Sequence, residues 1–408
     1  MQLFERKLFR TVKEQLDRKE YAVIVGARQT GKTTLLNQLY QCISGENKKV
    51  FQMSLEDPGF LTSLNEHPEN IFKFIPVPGN EKIHLLIDEV QYLDNPSNFL
   101  KLLYDKFAEK IKVIATGSSA FYIDKKFTDS LAGRKHLFEL YTLDFEEFLD
   151  FRTGDHLLVK EWSEIRRNKS YISARRNEIM TLFDEYLTYG GYPAVVLSDE
   201  KEQKIFKLKE LYTSFIKRDI LEAGIQHHDK FFNLLSIVAH QTGSCLNMNE
   251  LSNTLKLSVT AVENYLYVLR KCFHIHLIRP FFKNIRKEFT KMPKIYFNDL
   301  GLRNILLKQF LPVDQRLDRG ELIENYLFIR LRQLYDKDDI RYWRTADGNE
   351  IDFVVTMNPD SGFAIEVKYN ESEFKPKKYI NFVDHYPGYP LQCRAYNSIT
   401  NDTNILGL

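Results

Sequence analysis

Short apolar runs alternate along the first third of the chain with stretches in which apolar residues recur at helical spacing. Tyr21-Ala22-Val23-Ile24-Val25 reads as a buried strand, and Thr34-Leu35-Leu36-Asn37-Gln38-Leu39 as the start of a helix. Residues 4–19 predict an amphipathic helix ahead of that strand, and residues 49–55, 84–89 and 112–119 predict further strands. Strands alternating with helices predict an α/β domain with a mainly parallel sheet, whose ligands sit at the C-terminal ends of the strands. From residue 149 to residue 225 the pattern is helical and rich in charge and aromatic residues, interrupted at Gly190-Gly191-Tyr192-Pro193; it predicts a helical lid. Residues 249–255, a turn at Leu257-Ser258, and a helix opened by Thr260-Ala261-Val262-Glu263 precede β-like runs at 272–282 and 294–297. Helix, turn, helix and hairpin together predict a winged helix. Four parts follow: 1–148, 149–225, 226–297 and 298–408.

The polar residues at the strand ends carry the candidate chemistry. Gly26-Ala27-Arg28-Gln29-Thr30-Gly31-Lys32-Thr33 fits G-x-x-x-x-G-K-[ST] and lies between a predicted strand and a predicted helix, the setting a phosphate cradle requires. Its backbone N–H groups and the helix N-terminus, with Thr34 in the first turn, would face phosphate oxygens. Lys32 would reach the β- and γ-phosphates of ATP, and the Thr33 hydroxyl would bind Mg²⁺. The strand ending in Asp88-Glu89 supplies a second Mg²⁺ ligand, Asp88, and a carboxylate, Glu89, to polarise the attacking water. Ser118 or Thr116, at the end of the next strand, is placed as a sensor of the γ-phosphate or as a polar cap. Arg134 is either a finger for transition-state charge, in its own subunit or a neighbour's, or a surface arginine paired with an acid.

Composition narrows the picture little. The 408 residues carry a net charge of +2, too small to argue for nucleic acid, so any electrostatic case is local. Arg270, Lys271, Arg279, Lys283, Arg286, Lys287, Lys291 and Lys294 stand against Glu288 alone, a stripe suited to DNA phosphates or to packing against a protein partner. Cys42, Cys245, Cys272 and Cys393 are scattered singly, which argues against a zinc site or disulfides and fits a reducing cytoplasm. The first residues lack the apolar run of a signal peptide, and no stretch predicts a membrane span.

The P-loop with Thr34-Leu35-Leu36, Leu86-Ile87-Asp88-Glu89-Val90-Gln91, Gly117-Ser118-Ser119 and Ser130-Leu131-Ala132-Gly133-Arg134 resemble a group of bacterial and archaeal AAA-superfamily ATPases. Leu143-Asp144-Phe145-Glu146-Glu147-Phe148, Tyr189-Gly190-Gly191-Tyr192-Pro193, Lys217-Arg218-Asp219-Ile220 and residues 293–302 extend the likeness over nearly the whole chain. It implies ATP binding and hydrolysis but supplies no substrate.

Near the C-terminus, Asp352 and the pair Glu366 and Lys368 lie on two predicted strands joined by a turn, and alternation turns all three away from their apolar neighbours. Two carboxylates suit Mg²⁺, and the metal with a lysine would activate water against a phosphodiester. With Glu324 on the preceding helix, the arrangement resembles the PD-(D/E)XK restriction-endonuclease-like fold. The resemblance makes Asp352, Glu366 and Glu324 metal ligands and Lys368 the catalytic lysine; Ile351 stands where the family carries proline. The expectation is an Mg²⁺-dependent ATPase coupled to a nuclease-like part that binds or processes DNA. The alternative is a nucleotide switch whose C-terminal half only meets a protein partner or another copy.

Overall fold

The computed structural model describes residues 4–118, 131–282, 288, 291–345, 347–398 and 400–408; Ser119, Ser130, Lys283, Arg286 and Lys287 lie outside them. The chain divides into two compact units, residues 1–142 with 271–273, and residues 143–270 with 274–408. The predicted boundaries at 148, 225 and 297 remain a proposal.

In the first unit, β1 (Tyr21–Val25), β2 (Lys49–Ser54), β3 (Ile83–Asp88), β4 (Ile111–Gly117) and β5 (Lys135–Glu139) form one parallel sheet in the order β2-β3-β4-β1-β5. The predicted parallel α/β architecture is what forms. β1, β3 and β4 are buried along their whole length, as mainly apolar strands in the middle of a parallel sheet are. The opening helix is shorter than predicted, α1 being Lys7–Lys13. α2 (Lys32–Gly45) covers one face through Leu35, Leu36, Leu39 and Ile43. On the other face, α3 (Pro58–Glu66) contributes Leu64, and α4 (Pro96–Phe107) contributes Phe99, Leu100 and Leu103.

The second unit opens with helices, as the 149–225 pattern predicts: Phe145–Thr153, His156–Arg167, Arg176–Tyr189, Lys201–Glu210 and Ile216–Glu222 among them. Helices His228–His240, Met248–Leu255 and Val259–Lys271 then lead to β6 (Ile275–Pro280) and β7 (Lys294–Phe297), an antiparallel pair. The last of these helices starts one residue before Thr260, because Ser258 rather than Thr260 accepts the exposed N–H of Ala261 (3.2 Å). β8 (Ile340–Arg344), β9 (Glu350–Asn358), β10 (Ser361–Asn370) and β11 (Leu391–Asn397) follow. The hairpin does not stand apart from them. All six strands form one mixed sheet in the order β11-β10-β9-β8-β6-β7.

Two loops of this unit are locked by one carboxylate. Asp299 caps the helix Leu300–Leu307 through the N–H of Leu302 (2.9 Å) and accepts the N–H of Gly191 with its other oxygen (2.8 Å). A Cβ on Gly301 would stand 2.1 Å from the carbonyl oxygen of Tyr189, so the close approach requires glycine.

Candidate functional site

The loop after β1 turns sharply at Gly26, where a Cβ would lie 2.0 Å from the carbonyl oxygen of Leu140. Gln29 (φ 59°) and Gly31 (φ 96°) take left-handed conformations, and Thr30 Oγ1 closes the loop on the carbonyl of Ala27 (2.9 Å). Ala27, Arg28 and Thr30 are buried under the loop, whereas Gln29, Thr33 and Thr34 are exposed at its mouth and on the first turn of α2. Lys32 folds back, its ammonium donating to the carbonyls of Gly26 (2.9 Å) and Ala27 (2.8 Å). A cation thus lies in the cradle where phosphate charge is expected. Arg6, which the sequence did not single out, braces the loop from outside by donating to the carbonyls of Thr30 (2.6 Å) and Tyr141 (2.8 Å).

The end of β3 meets this loop. Thr33 Oγ1 donates to Asp88 Oδ2 (2.7 Å), bringing together the two residues expected to share Mg²⁺. A hydroxyl and a carboxylate are hard oxygen donors, and this pair suits that ion. Thr116 Oγ1 donates to the other oxygen of Asp88 and accepts the backbone N–H of Glu89 (3.1 Å). Glu89 itself is left-handed (φ 57°), and its carboxylate accepts a hydrogen bond from Gln91. The same Gln91 amide donates to Ser118 Oγ (2.9 Å). Thr116 therefore orients Asp88, and Ser118 is linked to Glu89 through Gln91. Gln91 was quoted in the sequence only as part of a motif; nothing in its spacing revealed that it joins the two.

Arg134 lies elsewhere. Its carbonyl accepts the N–H of Tyr21, at the start of β1, and its guanidinium pairs with Asp105 (2.8 Å) beside the Tyr104 ring. Tyr21 is four residues before Val25, so Arg134 stands at the opposite end of the sheet from the phosphate loop, about 13 Å away along the strand. A finger acting on its own subunit's nucleotide does not fit that position; the surface ion pair does.

The second unit gathers the C-terminal residues. Glu324, Asp352 and Lys368 line one cavity of ≈ 260 Å³. Lys368 Nζ pairs with Glu366 Oε1 (2.5 Å), and Asp352 Oδ2 accepts the N–H of Val367 (2.8 Å). Lys294, which the sequence placed in the basic stripe, is buried on β7 beside these carboxylates. Its ammonium lies 2.5 Å from Glu350, 3.1 Å from Glu324 and 3.7 Å from Asp352. Burial disfavours that charge, but the carboxylates of Glu324, Asp352 and Glu350 outweigh it and raise the lysine pKa. Burial, with the Asp352 charge nearby, pushes Glu324 up to about 8 and Glu366 up to about 7. Glu350 was not singled out in the sequence, although strand residues two apart share a face, which places it beside Asp352. Among the described residues, no three His, Cys, Asp or Glu side chains converge to hold a metal. As arranged here, Glu324, Asp352 and Glu366 do not converge on a divalent ion: Lys294 and Lys368 engage one oxygen each of Glu324 and Glu366, the N–H of Val367 engages Asp352, and Glu366 Oε2 is buried without a hydrogen-bond partner among the described residues.

Of the basic stripe, Arg270, Arg279 and Lys291 are exposed, while Lys294 is withdrawn into the carboxylates. No helix among the described residues is long and apolar enough to cross a membrane.

Residues 18–149 match the family model described as an AAA domain. The first unit is thus similar to AAA domains over nearly its whole length. Residues 180–312 and 319–403 match two models described as domains of unknown function (DUF8612 and DUF4143). An uncharacterized protein of Methanocaldococcus jannaschii is 26% identical over 341 residues, covering 82% of this chain and 71% of the relative. One of Haemophilus influenzae is 25% identical, covering 93% of this chain and 90% of the relative. Among solved structures, the Aeropyrum pernix ORC1 protein in complex with DNA overlays with a TM-score of 0.30 at 13% identity, over 74% of this chain and 91% of that one.

Proposed function

We propose that the chain is an Mg²⁺-dependent ATPase whose nucleotide cycle controls its second unit, and that the second unit contacts DNA. The observation that carries the ATPase reading is the junction of Thr33 with Asp88 (2.7 Å) beside Lys32 and Glu89, inside a domain of AAA type. Bound there, Mg²⁺ would neutralise phosphate charge during transfer. Lys32 would exchange the carbonyls of Gly26 and Ala27 for phosphate oxygens, as bonds to an anionic acceptor replace bonds to neutral carbonyls. Glu89, steered by Gln91 and the backbone bond to Thr116, would orient the attacking water, with Ser118 sensing its position through Gln91. A finger role for Arg134 is proposed only towards a neighbouring copy.

For the second unit, the exposed Arg270, Arg279 and Lys291 support contact with a phosphate backbone. The strands carrying Asp352, Glu366 and Lys368, with Glu324 on the adjoining helix, support a nuclease-like ancestry. One observation favours the second reading, a regulatory switch without nuclease activity: the carboxylates are engaged by Lys294 and Lys368. ATP turnover measured with and without DNA, across a salt series, separates the two. DNA-stimulated turnover that weakens with salt and vanishes in Lys32→Ala supports a DNA-coupled ATPase. Turnover indifferent to DNA leaves the switch.

A further inference from the structure

The charge at the centre of the second unit's cleft is met by a lysine that no nuclease-like pattern requires. Lys294 and Tyr296 are two residues apart on β7 and so share a face. Both reach the same oxygen, Glu324 Oε1, at 3.1 Å from the ammonium and 2.6 Å from the hydroxyl. Their position is not left to the flexible lysine stem. The neighbouring Phe297 is clamped by Asn325, whose side chain accepts its N–H (2.8 Å) and donates to its carbonyl (2.8 Å). Asn325 follows Glu324 on the helix Arg319–Leu334, so strand and helix are pinned together next to the ion pair.

Three carboxyl groups surround the ammonium, Glu350 and Glu324 within hydrogen-bond reach and Asp352 at 3.7 Å. The Lys294 side chain is 1% exposed. A divalent ion at these carboxylates would need oxygens at about 2.0–2.1 Å in near-octahedral array, in the space the ammonium fills. Ammonium and metal repel each other and would compete for the same lone pairs.

We propose that Lys294 is a tethered cation that stands in place of a divalent metal between Glu324 and Asp352, so that the second unit's cleft works without one. This rests on reading Glu324, Asp352, Glu366 and Lys368 as a nuclease-like set and departs from it at the metal. The ammonium is fixed by covalent attachment, carries one charge rather than two, and offers no open coordination position for water.

The test is Mn²⁺ binding to the nucleotide-free full chain, followed by the loss of the free-ion electron paramagnetic resonance signal. Wild type is expected to take up no Mn²⁺ that Asp352→Asn abolishes. Lys294→Met is expected to bind Mn²⁺ at least about tenfold more tightly than wild type, an affinity lost again when Asp352→Asn is added. Mn²⁺ should also raise the melting temperature of Lys294→Met and not that of wild type. Stoichiometric uptake by wild type that Asp352→Asn removes overturns the proposal, as does a folded Lys294→Met that gains no binding. Should Lys294→Met not fold, the comparison of wild type with Asp352→Asn decides alone. If wild type does bind an Asp352-dependent Mn²⁺, the nuclease-like reading survives while the tethered cation falls. ATP turnover and its loss in Lys32→Ala are read separately.

Discussion

One hydroxyl holds the two acids of the nucleotide site in register. Thr116 Oγ1 donates to Asp88 and accepts the N–H of Glu89, fixing the carboxylate expected at the metal and the backbone from which the neighbouring carboxylate projects. Replacing it with valine keeps the shape and removes both bonds. Thr116→Val is expected to lower kcat about 10- to 100-fold through misplaced catalytic groups, with nucleotide binding within a few-fold of wild type, as steady-state kinetics and a fluorescent-nucleotide titration would measure. Buried Glu324 makes stability depend on pH. Its folded pKa of about 8 lies above the ordinary 4.5, so between those values the folded chain holds a proton the unfolded chain has released. The stabilisation is fully present below about 4.5 and is lost as pH rises through 8. Urea midpoints measured from pH 5 to pH 8 should therefore fall less steeply in Glu324→Gln than in wild type.

At the scale of elements, Asp299 ties two loops that are distant in sequence by serving the N–H groups of Leu302 and Gly191 together. Asp299→Ala leaves both buried donors without that acceptor and is expected to cost about 2–4 kcal/mol, measured by denaturant unfolding. Gly301→Ala should be comparably damaging, because its methyl meets the Tyr189 carbonyl. These two motifs were visible in the sequence as turns and family likeness, while their contact was not, since nothing local joins residue 191 to residue 299. The parallel sheet, by contrast, was legible strand by strand, because β1, β3 and β4 are buried on both faces and read as mainly apolar runs. The hairpin of β6 and β7 was legible as a pair, but its place at the edge of the six-stranded sheet depends on pairing with β8, some sixty residues later. The same limit explains the site. Lys32, Thr33, Asp88 and Glu89 are short motifs at strand ends, which sequence exposes directly. Lys294 looked like one more residue of a basic stripe, and only the folded packing of β7 against the helix Arg319–Leu334 turns it inward. Arg134 was left open between two roles for a related reason: its distance from the phosphate loop is set by which end of β5 it precedes.

For the whole molecule, the proposed hydrolysis of ATP by the first unit, with Glu89 orienting water, is the step on which the rest depends. Glu89→Gln keeps the size of the side chain and its place beside Gln91 while removing the carboxylate charge. Phosphate release by the full chain under saturating ATP and Mg²⁺ is the direct measurement, paired with a binding titration of the same samples. Wild type should turn over, and Glu89→Gln should bind ATP with comparable affinity while its turnover falls by about 10²-fold or more. Phosphate release undiminished in Glu89→Gln, or absent from wild type that binds ATP, would contradict the claim.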